Sequence, residues 1–230
     1  MFPIQDTVPS RSVPLATWGL ILINGLVFFQ ELALPPKYLE QLIAQLGVVP
    51  AQLGSEAQGW WPLVTCMFLH GGWMHFLGNM WTLYLFGDNV EDRMGPARYL
   101  VFYLLCGVAG NLTHCLTNPT STVPTIGASA AIAGVLGAYF VLFPTARILT
   151  LIPILFIPFV VEVPAVFYLG LWFLSQLFSG ALSLVAADNY QGIAWWGHVG
   201  GFVAGLVLLP VFKKPSQQYR RYYADEYWPW

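Results

Sequence analysis

The stretch Gly127-Ala128-Ser129-Ala130-Ala131-Ile132-Ala133-Gly134-Val135-Leu136-Gly137-Ala138-Tyr139 decides how this chain is read. It is a helix of small residues with a single hydroxyl at its start, entered from a polar loop and continuing into an apolar run that ends near Pro144. Two small-residue ladders run along it, Ala130/Gly134/Ala138 and Ser129/Ala133/Gly137. At four-residue spacing each ladder makes a flat face that lets another helix backbone approach closely. A matching face lies near the C-terminus, where Gly197, Gly201 and Gly205 repeat the spacing and His198 follows the first glycine. If the two faces meet, a serine hydroxyl and an imidazole come together, a nucleophile beside a base.

The surrounding chain places that pair in a membrane. Of 230 residues, 57% are hydrophobic and only 9% charged, with a mean hydropathy of +0.63. Soluble domains carry about a quarter charged residues. A net charge of -2 with no basic patch gives no sign of a nucleic-acid partner. The three cysteines, Cys66, Cys106 and Cys115, form neither a disulfide framework nor a zinc-ligand spacing. Six apolar stretches are read as spans, near 13–33, 73–87, 98–117, 128–143, 164–183 and 194–212. The first is read as a retained anchor, not a cleaved signal. The segment 148–160 is apolar but interrupted by Pro153 and Pro158, and is read as an interfacial or re-entrant lead-in to the fifth span.

Six crossings place Arg11, Arg93, Arg98, Arg147, Lys213, Lys214, Arg220 and Arg221 on one side and Lys37 alone on the other, so 8 of the 9 basic residues share a face. The positive-inside rule makes that face cytoplasmic. The expected organisation is a cytoplasmic N-terminus (1–12), a membrane domain (13–212) and a cytoplasmic tail (213–230), with Ser129 and His198 near the outer face. The long outer connection 34–72 carries a helical apolar stripe, Leu39, Leu42, Ile43 and Leu46, followed by an aromatic-rich run from Trp60 to Leu69. Part of it is expected in the outer interface, where tryptophan is favoured. The aromatic tail, from Tyr219 to Trp230, is expected at the inner interface.

Polar groups inside a membrane are costly and need a reason. His70, His75 and Asn79 cluster at the entry of the second span, and His75 and Asn79 share one helix face. Both can donate hydrogen bonds to developing negative charge, which acyl transfer requires. The chain lacks His-Glu-x-x-His and nearby carboxylate ligands, so no metal and no cofactor is expected. Gly127-Ala128-Ser129-Ala130-Ala131 lacks the last glycine of the soluble-hydrolase elbow and follows no strand. His114 is read as a satisfied interfacial residue. A transporter or channel would need intramembrane carboxylates, and only Glu31 and Glu162 lie near span ends.

Four segments in order, His70-Gly-Gly-Trp-Met-His75-Phe-Leu-Gly-Asn79, Gly87-Asp-Asn-Val-Glu91-Asp-Arg93-Met-Gly95, Gly127-Ala-Ser129 and His198-Val-Gly-Gly201-Phe-Val-Ala-Gly205, resemble the rhomboid intramembrane serine proteases. The resemblance runs from about Trp60 to Gly205. It implies an all-α polytopic six-transmembrane-helix bundle with Ser129 as nucleophile and His198 as general base. It also implies an oxyanion site of His75, Asn79 and the Ser129 amide, with His70 and Gly127 supporting. Helix packing falls to Gly134, Gly197, Gly201 and Gly205.

Two positions depart from the family pattern. Ala130 replaces the second glycine of Gly-x-Ser-Gly, and Pro62 follows Trp61 where many relatives have arginine. Gly197 stands where alanine often precedes the base. The implied partner is a membrane-spanning protein substrate cut near the outer interface, in the lipid bilayer of a plasma (inner) membrane. The alternative is a rhomboid-like pseudoprotease that binds such segments without cutting them. Asp188, ten residues before His198, is the nearest acid in sequence to the base, and the sequence leaves open what orients the imidazole. The outer loops 34–72 and 183–193 are candidates for covering and gating the site.

Overall fold

The computed structural model describes residues 2–56, 58–154, 157–185 and 193–215. The main helices are α1 (Leu15–Ala33), α2 (Pro36–Leu46), the single turn α3 (Pro62–Thr65), α4 (Trp73–Met94), α5 (Pro96–Thr117), α6 (Ser129–Leu142), α7 (Ala165–Val185) and α8 (Trp195–Phe212). Among the described residues α1, α5, α7 and α8 are long and apolar enough to cross a membrane, and α6 is a shorter apolar helix. α4 is long, but its last two turns carry Asp88, Glu91, Asp92 and Arg93, and it extends past the expected end at 87 to Met94.

α6 is the axis of the bundle. Every residue from Ala130 to Tyr139 is buried, as a helix that is apolar on all sides must be. It packs against α4, α5, α7 and α8, and α5 also lies closely along α8. The glycine ladders explain this closeness. A Cβ at Gly201 would overlap the Ala130 carbonyl oxygen, one at Gly205 the Gly134 carbonyl oxygen, and one at Gly137 the Phe202 carbonyl oxygen. The α6–α8 seam is therefore backbone against backbone along both ladders. Gly197 differs from the expectation. A Cβ there would meet Ala194 Cβ at 3.4 Å, Gly110 O at 3.7 Å and His114 Cβ at 3.7 Å, so its α-carbon faces α5 with ordinary room, while its carbonyl oxygen lies where a Cβ at Gly110 would clash.

The end of the bundle away from Ser129 is tied by the Gly87–Gly95 segment. The buried Glu91 carboxylate accepts from the Ala16 and Thr17 amides (3.0 and 2.8 Å) and the Thr17 hydroxyl (2.8 Å). It thereby caps the N-terminus of α1, which no neighbouring side chain caps. Asp92 accepts from the Arg11 and Ser12 amides and the Ser12 hydroxyl. Arg93 lies over the Phe143 ring, 4.9 Å from its centroid, and its carbonyl accepts from the Lys214 amide.

The segment 148–160 leads into α7 as expected, but as paired strands that the sequence reading did not foresee. Arg147–Ile154 (β2) and Ile157–Pro164 (β3) form an antiparallel hairpin, and Phe2–Asp6 (β1) pairs antiparallel with β2. The physical reason lies in the residues: β-branched side chains are frequent, and Pro153 and Pro158 prevent a helix yet face one another as strand partners next to the turn. β1 is fastened by the Trp81 indole N–H to the Pro3 carbonyl (2.7 Å) and the Tyr139 hydroxyl to Asp6 Oδ2 (2.5 Å). Glu162 lies in β3, three residues before α7, and is half-exposed beside Arg147 (3.6 Å).

The connection 34–72 is structured. The α2 stripe of Leu39, Leu42, Ile43 and Leu46 is half-buried, as its spacing suggests, whereas Trp60 and Trp61 are exposed and Met67 and Leu69 are buried in the bundle. Buried Gln58 accepts from the Val49 amide and donates to the Gly47 carbonyl. Val48 exchanges two backbone hydrogen bonds with Thr125, joining this connection to the loop that leads into Ser129. The aromatic tail from Tyr219 onward, Arg220, Arg221, Asp188 and most of 183–193 lie outside the described residues.

Candidate active site

Ser129 is the first residue of α6. Gly127, two residues earlier, has φ +124, a left-handed value that a side chain would strain, and its amide donates to the Cys66 carbonyl at 2.8 Å. The first bond within the helix runs from the Ile132 amide to the Ala128 carbonyl, and no side chain caps the turn. The Ser129 amide therefore stands at an uncapped helix N-terminus, where N–H groups have no intrahelical acceptor and the dipole favours negative charge.

His198 sits in the first turn of α8, and its Nε2 lies 2.9 Å from Ser129 Oγ. The glycine seam makes this approach possible, since both groups are one turn or less from the Ala130–Gly201 contact. Its other ring nitrogen, Nδ1, lies 2.7 Å from Oε1 of Gln176 on α7. Trp172 and Trp195 flank the imidazole with ring centroids 6.1 and 6.3 Å away. Sequence reasoning missed Gln176. The available signal was one amide in a largely apolar helix.

His75 and Asn79 lie one turn apart on α4, against the strained glycine. A Cβ at Gly127 would stand 2.6 Å from His75 Nε2 and 3.6 Å from Asn79 Nδ2. The Gly71 amide donates to His75 Nδ1 at 3.4 Å, which places the proton of a neutral imidazole on Nε2. Asn79 Nδ2 is buried and has no hydrogen-bond partner among the described residues. Two side-chain donors thus meet near the residue that precedes the serine turn.

His70 lies behind them, 3% exposed, its ring edge-on to His75 at 5.2 Å and to Phe76 at 5.4 Å. Burial, and secondarily His75, push its imidazole down to about 4, so it is neutral at physiological pH. Its backbone N–H donates to the Glu31 carboxylate, which gives that intramembrane acid a structural use.

Ser129, His198, His75, Asn79 and Trp195 line one open cavity of about 1140 Å³, together with Thr117, Asn118, Ser121, Thr125, Ser183 and Ile193. His114 also lines it, with Nδ1 3.4 Å from Asn118 Nδ2, so it belongs to the cavity wall and not only to the interface.

Ala130 is accommodated. A Cβ at Gly110 of α5 would lie 2.9 Å from the Ala130 methyl, so that methyl fills the space a glycine leaves on the neighbouring helix. A hydroxyl held to an imidazole, with amide and imidazole donors nearby and a helix N-terminus behind, is suited to acyl transfer.

Residues 57–215 match the family model of the Rhomboid domain. The chain belongs to the rhomboid family. This rhomboid is 35% identical over 96 residues to RHOMBOID-like protein 5 of Arabidopsis thaliana, covering 42% of this chain and 31% of that protein. It is 29% identical over 170 residues to RHOMBOID-like protein 1 of the same plant, covering 74% of this chain and 39% of that one. It is 34% identical over 135 residues to Rhomboid protease GluP of Bacillus subtilis (strain 168), covering 58% and 26%. The matched region therefore spans less than half the length of each of these relatives. Membership accounts for a polytopic helical membrane protein.

Proposed function

We propose that this rhomboid is an intramembrane serine endopeptidase that cleaves membrane-spanning segments near the outer interface. The observation that carries the reading is the 2.9 Å approach of His198 Nε2 to Ser129 Oγ, from helices whose backbones touch. Ser129 Oγ attacks the scissile carbonyl as His198 takes its proton. The Ser129 amide, Asn79 Nδ2 and His75 Nε2 donate to the oxyanion. His198 then protonates the leaving amine, and water hydrolyses the acyl-enzyme. A stable helix hides its carbonyls, so the substrate presents small or helix-breaking residues at the cut. We place six crossings in a plasma membrane, with both termini cytoplasmic and the cavity toward the outer face.

The test is cleavage of a single-span substrate in liposomes by the wild type, Ser129→Ala and His198→Ala, with fluorophosphonate labelling alongside. Both variants are expected to lose cleavage, and only Ser129→Ala to lose its labelling site. Full activity in either would remove the dyad. A wild type that binds the substrate without cutting it or taking up the probe would instead support the pseudoprotease alternative. That alternative rested on Ala130, and the space left by Gly110 weakens its basis.

A further inference from the structure

We infer that Gln176 is the positioning residue that sets the tautomer and heading of His198, and that Ser175 sets Gln176. The inference rests on the protease reading and names the group that reading leaves unassigned. It follows from hydrogen-bond polarity, starting at an atom whose role is fixed. The Trp172 carbonyl oxygen can only accept, so the Ser175 hydroxyl, 2.6 Å away, donates its single proton there. Ser175 Oγ is then an acceptor toward Gln176, and the amide nitrogen faces it at 3.0 Å. That turns Gln176 Oε1 toward His198 Nδ1 at 2.7 Å. A carbonyl-type oxygen again only accepts, so the imidazole proton sits on Nδ1. In a neutral ring this leaves the lone pair on Nε2, the atom that faces the Ser129 hydroxyl at 2.9 Å. Each link forces the next, and the last one arms the base.

Burial agrees with this assignment. Gln176 is 6% exposed and is the one amide side chain in a largely apolar helix whose other small polar residues are three serines, and there an amide without a task is costly. Ser175 is exposed on the outer side of α7, with its hydroxyl turned back to the helix. A neutral amide also orients an imidazole inside a membrane without the desolvation cost of an ionised carboxylate. His75 on α4 and His114 on α5 are the other titratable groups electrostatically close to His198, and neither hydrogen-bonds to it.

The test compares full-length wild type, Gln176→Leu, Gln176→Met, Gln176→Glu and Ser175→Ala in liposomes, with rates referred to folded protein. Leu and Met fill the site without an acceptor, whereas Glu retains an oxygen. Removing a group that orients a reactive residue costs about 10–100-fold. We expect kcat to fall by about that much in Gln176→Leu and Gln176→Met with KM unchanged and Tm no lower, and Gln176→Glu to retain most of the rate. Ser175→Ala, which frees the amide to turn, should fall between wild type and Gln176→Leu. A packing role predicts the reverse order, since buried Leu is then tolerated and Glu is not. Wild-type rates in Gln176→Leu or Gln176→Met, or a higher rate in Gln176→Leu than in Gln176→Glu, would overturn the assignment while leaving the dyad standing. A wild type that neither cleaves nor labels would overturn the protease reading and this assignment together.

Discussion

The two seams that meet at His198 are built on opposite principles. Between α6 and α8 the closest contacts are backbone: Gly201, Gly205 and Gly137 bring carbonyl oxygens against α-carbons. Between α7 and α8 the contact is made by side chains: Phe173 stacked on Phe202 at 4.5 Å, the Trp196 indole donating to the Gly180 carbonyl at 3.1 Å, and Gln176 on the imidazole. The first seam fixes how far Ser129 is from His198. The second fixes how the imidazole is turned. Distance set by backbone has almost no tolerance, whereas orientation set by side chains can be changed one group at a time.

The sharpest way to break this contrast is Gly201→Ala. Its methyl would overlap the Ala130 carbonyl, so the helices must separate. Overpacking of this kind costs about 1–3 kcal/mol, and a displacement of about 1 Å at a reacting pair costs about 100-fold in rate. Both Tm in detergent and kcat should fall; a variant that keeps both would show that the α6–α8 seam has slack. Trp196→Phe probes the other seam by deleting one hydrogen bond, worth about 1 kcal/mol. Faster hydrogen exchange in α7, with α6 unchanged, is the expected signature. Ala130→Gly removes the methyl that meets Gly110 and adds backbone freedom, so stability should drop by about 1 kcal/mol with little change in kcat. Gly197→Ala should do least, within about 0.5 kcal/mol on denaturation, because the added methyl meets only ordinary contacts. A large loss there would mean that the Gly197 α-carbon has no more room toward α5 than its carbonyl, which already lies against Gly110.

These differences also decide what was readable in the sequence. A backbone seam writes itself as glycine and alanine at fixed spacing, so Gly134, Gly201, Gly205 and the meeting of Ser129 with His198 were legible before any coordinates. His75 and Asn79 were legible because two polar residues one turn apart in an apolar helix demand a common task. Gln176 has no spaced companion, and one amide in α7 carries no direction until the fold shows what it faces. Gly110 was silent for the same reason, although it explains why Ala130 fits. Gly197 does pack against a helix, but its neighbour is α5 and not the α6 that the ladder's spacing suggested. The β2–β3 hairpin was hidden because an apolar run with two prolines is equally compatible with an unpaired segment; only the pairing of 147–154 with 157–164 and with Phe2–Asp6 distinguishes them.

That pairing has a consequence for biogenesis. β1 precedes α1 in the chain, yet β2 is made only after α1, α4, α5 and α6. Strands can join only in the same aqueous compartment, so the chain between them must traverse the bilayer an even number of times. A nascent molecule with one inverted or skipped helix would present β1 with no partner, its backbone groups open to water and its Asp6 unable to reach Tyr139. The small sheet can thus close only when both of its strands lie on the same side of the bilayer.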